Sequence, residues 1–185
     1  WYLLSVSPAW TPTKFDEDGL IDVVSKFFGT LRNVYNFFVL YSNQDQVEIE
    51  KTYVEPKNRP ELDRWILSKY NALVRNVTDA LEHYDHMKTV RSITDFVAED
   101  LSNWYIRRAR RRFYAPEMTE DKKSVYATTY EILVGVSKLI APIAPFLSDE
   151  MYTKLTGEVS VHLASFPKAD ESLIDRSVEE RMDLV

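Results

Sequence analysis

Apolar residues recur at steps of three and four along most of this chain, a pattern that predicts helices. The first helix is expected from Asp16 to Tyr41, with Leu20, Val24, Phe27, Phe28, Leu31, Val34, Tyr35, Phe38 and Tyr41 turned inward. Asp16, Glu17 and Asp18 place acid at its start, where the helix dipole favours negative charge. A second begins at Pro60, a residue suited to the first helical position. It carries Leu62, Trp65, Ile66, Leu73, Val77 and Leu81 as far as His83. Asp85 is placed to cap a third, in which Val90, Ile93, Val97, Leu101 and Trp104 share one face. Past Trp104 that face turns to charge: Arg108 and Arg111 continue it, while Tyr105, Ala109 and Phe113 carry an apolar stripe round the side. Thr119 caps a fourth helix reaching Ile140. Ala141-Pro142-Ile143-Ala144-Pro145 then forbids a continuous helix. A short fifth starts at Ser148 and stops before Gly157.

The remaining segments are connections. Trp1 to Lys14 reads as an ordered connector whose Trp1, Tyr2 and Trp10 can pack on a neighbour. Asn43 to Arg59 reads as a long polar loop with room for a short strand. Val159 to Phe166 alternates and reads as extended, and Asp170 to Val185 as an acidic helix. Most connections are short, so helices adjacent in sequence should be adjacent in space. The expected fold is all-α: an antiparallel bundle of four to five helices with a short extended segment near the C-terminus. The expected division is a connector over 1–14, the bundle over 15–157, and an extended segment plus a further helix over 158–185.

Composition narrows the function. At 185 residues the chain is long enough for one domain with a core of its own. The absence of cysteine removes disulfides, thiolate metal sites and cysteine nucleophiles, and fits a reducing, cytoplasmic setting. No apolar run is long enough to span a bilayer and no signal peptide is present, so no membrane partner is expected. A net charge of −6 argues against a nucleic-acid footprint over the whole surface, so any such function must rest on a local patch. The chain opens at Trp1 without an initiator Met and reads as part of a longer polypeptide.

That patch is the run Arg107, Arg108, Arg110, Arg111 and Arg112. Helical charges are commonly balanced three or four residues away, but no carboxylate lies at those distances from any of the five. The nearest on the stripe is Asp100. These guanidinium groups must find anions elsewhere, in the fold or in a ligand. The planar, permanently charged guanidinium suits phosphate. The plainer alternative is a solvated face, or pairing with neighbouring helices. If the helices are antiparallel, Lys122 and Lys123 lie near the run, and Phe113 and Tyr114 are interleaved with it. Basic groups beside rings suit RNA, unless the rings simply close the core. Other constellations are weaker. The glycines are scattered, so no phosphate-cradling loop exists. His83 and His86 sit at a helix junction far from His162, which favours a surface or capping role over a metal site. Asp95, Glu99 and Asp100 read better as ion-pair partners than as acid–base groups. Catalytic, cofactor and metal residues are therefore expected to be absent from this chain.

Several stretches resemble the anticodon-binding domain of the isoleucyl-tRNA synthetases, a class I family. Leu101-Ser102-Asn103-Trp104-Tyr105-Ile106-Arg107-Arg108, followed by Arg110-Arg111-Arg112-Phe113, is similar to its signature helix. Trp1 to Leu4 and Pro8 to Phe15 resemble the segment leaving the catalytic core. Phe27 to Phe38, Pro60 to Ser68 and Leu139 to Pro142 with Pro145-Phe146 and Glu150 resemble the first two bundle helices and the broken corner. Ser160-Val161-His162-Leu163 with Phe166-Pro167 resembles the closing segment, with Phe where Trp is usual. Arg107 after Trp-Tyr-Ile and the Ser-Val-His-Leu segment favour the isoleucyl branch over the valyl. The resemblance implies a parent that uses ATP with Mg to charge tRNA(Ile) and edits misacylated valine. Its two adenylate-site signatures and its editing domain are missing here. The segment would then position tRNA for catalytic and editing domains elsewhere in the same chain. Arg107, Arg108, Arg110, Arg111 and Arg112 are the expected tRNA contacts, with Lys122 and Lys123 as additions; the alternative for some of the arginines, Arg107 first, is to hold the bundle through Asp100 or another buried acid. The rival from another class is a helical protein–protein module whose arginines meet an acidic partner.

Overall fold

The computed structural model describes residues 1–8 and 10–182. No strand occurs among them. The helices are α1 (Tyr2–Val6), α2 (residues 17–44), α3 (Glu61–Glu82), α4 (residues 86–113), α5 (Glu120–Ile140), α6 (Pro145–Thr156) and α7 (Arg176–Met182). Helices α2 to α5 alternate in direction, so the ends of α2 and α4 meet the starts of α3 and α5. At that end Lys122 of α5 reaches Asp45 just past α2, and Arg112 of α4 reaches Asp63 in the first turn of α3.

The helix boundaries follow from local chemistry. Asp16, Asp85 and Thr119 each accept a backbone N–H at the helix start, from Gly19 (3.0 Å), Lys88 (2.9 Å) and Lys122 (3.2 Å). Pro60 stands one residue outside α3. Helix α6 begins at Pro145, three residues before the expected Ser148, because proline's fixed φ is already helical. It closes on Gly157 at φ 74°, a left-handed turn that side chains resist.

Two stretches are wound more loosely than an α-helix: Val23–Gly29 in α2 and Phe96–Ile106 in α4 form π-helix, with i→i−5 hydrogen bonds. More residues per turn change which side chains face the core. In α4 one buried stripe advances by fours, through Val97, Leu101, Tyr105, Ala109 and Phe113, with Phe96 and Ile106 buried beside it. Trp104, expected inside, is only half-buried. Leu20 and Val24, also expected inside, are 41% and 53% exposed. Phe27, Leu31, Val34 and Phe38 make up the buried stripe of α2.

The connections also differ from expectation. Residues 43–59 hold two single turns of 3-10 helix and no strand. Arg59 there is 3% exposed and grips Glu131 of α5 with both terminal nitrogens, at 2.9 and 2.7 Å. Residues 159–166 are extended at Ser160 and Ala164, with one 3-10 turn between them. The acidic helix expected over Asp170–Val185 is shorter, Arg176–Met182, and its last three expected residues lie outside the described ones. This segment returns along α3. Val178 is fully buried, the Asp170 N–H donates to Asn71 (2.8 Å), and Ser68 bonds Glu179. In the connector, Trp1 stacks on Phe27 with ring centres 4.0 Å apart, and its indole donates to Thr94 (3.1 Å). Trp10 is 79% exposed.

Close approach of α3 and α5 depends on Gly135. A Cβ there would stand 2.0 Å from the Tyr70 hydroxyl oxygen and 2.4 Å from Cζ. Burial pushes the Tyr70 phenol pKa upward, consistent with a ring wedged between helices. Gly135→Ala is expected to cost about 1–3 kcal/mol through overpacking, read as a lower urea midpoint with an unchanged slope.

Candidate nucleic-acid interface

The last turns of α4, Arg107–Phe113, hold all five arginines. Arg107, Arg108, Arg110 and Arg111 are exposed and form no ion pair among the described residues. Arg108 lies over Trp104, its central carbon 3.8 Å from the ring centre, and Arg110 lies 5.9 Å from the centre of Phe37 on α2. Both contacts hold a cation against a ring while leaving its N–H groups to solvent.

Arg112 points the other way. It clasps the fully buried Asp63 with two nitrogens, at 2.6 and 2.7 Å, and bonds Asp121 at 3.0 Å. Tyr105 donates to the same Asp63 at 2.8 Å. Burial acts to lower the Arg112 pKa, but the hydrogen bonds and charge of Asp63 outweigh it and the net shift is upward. Burial, and then the negative charge of Asp63, push the Tyr105 phenol well above its ordinary value. Lys122 is 2% exposed. It pairs with Asp45 at 2.6 Å, donates to the Ala115 carbonyl at 2.5 Å, and shares Asp45 with the Tyr126 hydroxyl. Lys123 pairs at the surface with Glu120, at 2.7 Å. Asp100, the acid nearest the arginines along α4, faces Lys69 of α3 at 3.5 Å.

The expected residues thus divide. Arg107, Arg108, Arg110 and Arg111 form one exposed basic face, with Lys123 at its margin. Arg112 and Lys122 are built into the bundle, because the buried Asp63 of α3 and the half-buried Asp45 just past α2 face them from far off in sequence. The rings divide as well. Phe113 is buried, whereas Tyr114 is 53% exposed. Phe37 and Tyr41 of α2 stand beside it and were not anticipated as neighbours of the arginines. Their spacing of four, one position off the Val34–Phe38 core stripe, is the signal that points to a shared flank. Among the described residues no group of His, Cys, Asp or Glu is placed to hold a metal, and no helix is long and apolar enough to cross a membrane.

The sequence of this all-α bundle is matched by a known family. The model of the anticodon-binding domain of tRNA ligases covers residues 63–185, and the chain belongs to that family. Over its whole length it is 51% identical to the isoleucine–tRNA ligase of Porphyromonas gingivalis, spanning 16% of that protein. It is 47% identical to that of Bacteroides thetaiotaomicron and 42% identical to that of Thermus thermophilus, spanning 16% and 18% of them. The chain is therefore about a sixth of the length of these curated relatives.

Arg112→Ala is expected to strip the buried Asp63 of its charge partner and cost about 3–5 kcal/mol. Arg111→Ala should stay within about 0.5 kcal/mol of the parent. Chemical denaturation of both variants checks the contrast. A second expectation concerns alkali. The Tyr105 phenol stays neutral in the fold while in the unfolded chain it ionises near its ordinary value, about pH 10. Its contribution is present below that pH and is lost as pH rises above it. The urea midpoint should fall above about pH 10, and less steeply in Tyr105→Phe.

Proposed function

We propose that this chain is the tRNA-binding segment of an isoleucine–tRNA ligase. It holds the anticodon stem and loop of tRNA(Ile) in the cytoplasm while catalytic and editing domains elsewhere in the polypeptide act on the acceptor end. The whole-chain likeness to isoleucine–tRNA ligases supports the substrate. ATP and Mg belong to those other domains; they supply the activation of isoleucine, and the present residues contribute placement of the RNA. Residues 15–157 form the docking bundle, with 1–14 leading from the catalytic part.

One observation carries the binding mode: four exposed guanidinium groups on one helix end that form no ion pair among the described residues. Arg107 and Arg111 lie about one turn apart, about 6 Å along the axis, and donate to backbone phosphates. Arg108 and Arg110, held by Trp104 and Phe37, donate beside them with their side-chain freedom already reduced. Lys123 joins at the margin, since a surface pair such as Lys123–Glu120 is worth only about 0–1 kcal/mol and opens readily. Arg112 and Lys122 serve indirectly, by fixing the helix ends that present the others.

The test is tRNA(Ile) binding by the full-length ligase as a function of salt. Each phosphate held by a cation adds a slope of about −0.7 to −0.9 in log affinity against log salt. Arg107→Glu with Arg111→Glu should weaken binding and flatten the slope by roughly that amount for each phosphate released, with folding unchanged. Affinity and slope equal to those of the parent would overturn the proposal.

A further inference from the structure

Arginines account for phosphate, not for bases. On the same surface lies an aromatic ledge, in which Phe37 and Tyr41 pack against the core and Tyr114 stands outside it. Tyr114 closes α4 and is 53% exposed, although the preceding Phe113 is buried. Its ring centre stands 5.1 Å from Tyr41 and 6.5 Å from Phe37, tilted to both, so the ring is propped from behind with a face left to solvent. Arg110 covers the Phe37 ring next to it. Its backbone is also held, since the Tyr114 N–H donates to the Arg110 carbonyl at 3.2 Å. An exposed ring held on two sides is ordered before any ligand arrives, which lowers the entropy lost on stacking.

We propose that Tyr114, backed by Tyr41 and Phe37, is a stacking shelf for an unpaired base of the RNA loop whose phosphates the neighbouring arginines hold. This rests on the tRNA-binding reading and deepens it, by separating the group that takes a base from those that take the backbone. The occupant is a nucleobase because the ledge pairs a flat apolar face with adjacent unneutralised cations. An unstacked loop nucleotide offers the complement of both, a π-face and a phosphate. The Tyr114 ring makes the stack, and the hydroxyl is dispensable.

The experiment uses full-length ligase and tRNA(Ile) carrying 2-aminopurine at successive positions of the anticodon loop. Stacking of a base on an aromatic is worth about 1–3 kcal/mol, so Tyr114→Ala should weaken binding about 5- to 150-fold. The salt slope should stay as in the parent, and Tyr114→Phe should keep parental affinity. At one loop position binding should quench 2-aminopurine fluorescence, and Tyr114→Ala should relieve that quenching. Melting curves of both variants confirm that the fold is intact. If arginine reversal flattens the salt slope while Tyr114→Ala changes neither affinity nor quenching, the shelf is overturned and the phosphate contacts stand. If neither set of substitutions alters tRNA binding, both fall. Binding of polyglutamate as tight as that of tRNA, abolished in Tyr114→Ala, would assign the ledge to an acidic protein instead.

Discussion

A single carboxylate with no access to solvent, Asp63, holds together the end of the bundle on which the surface chemistry depends. A charge in that position is unfavourable by several kcal/mol unless it is paired and hydrogen-bonded. Here Arg112 supplies two parallel bonds, Tyr105 a third, and Arg112 extends the tie to Asp121 of α5. The pair can form only when the last turn of α4 lies against the first turn of α3. That requirement fixes the rotation of α4 about its own axis, and so decides which of its arginines look outward.

A second ion pair, of a buried lysine with a half-buried acid, works alongside it. Lys122, Asp45 and Tyr126 join the end of α2 to the start of α5, and Lys122 also secures the turn after α4 through Ala115. Together the two clusters engage Asp45, Asp63 and Asp121, acids that lie close to the arginine run. With these carboxylates occupied, the outward guanidinium groups keep their full attraction for a polyanion although the chain as a whole is negative. Two cations turned inward thus free four turned outward. Neutral donors reinforce the arrangement: burial, followed by the hydrogen bond to Asp45, raises the Tyr126 pKa, so the phenol stays a donor well into alkali.

What could be read from the residues was whatever depends on near neighbours. The caps at Asp85 and Thr119, the break at Pro142 and Pro145, and the stop at Gly157 each involve chain within a few positions. All-α architecture and the alternation of helices followed from period and short connections. What could not be read was pairing across distance. Arg112 meets Asp63 49 residues away, and Arg59 meets Glu131 across 72. Nothing local marks Arg112 as different from Arg111. A partial clue existed for Asp63, which sits three residues before Ile66 on a face otherwise apolar. The loosened winding of α4 was also hidden, although the run Val97, Leu101, Tyr105, Ala109, Phe113 keeps a strict step of four that an ordinary helix would gradually rotate off its face. Following that step, rather than the step to Trp104, separates the core from the charged surface.

The same winding bears on tolerance to change in length. Phe96–Ile106 contains more residues per unit rise than an α-helix, so the loss of one residue there can be absorbed by tightening the coil, with no new loop. One turn of π-helix would become one turn of α-helix, and everything downstream would keep its facing. Arg112 would stay on Asp63, whereas the loss of one residue from the α-helical last turns would swing the remainder by about 100°. A deletion equally invisible to helix content would there scramble the charge map of the surface, so the loosened stretch is the forgiving part of α4 and its last turns are not.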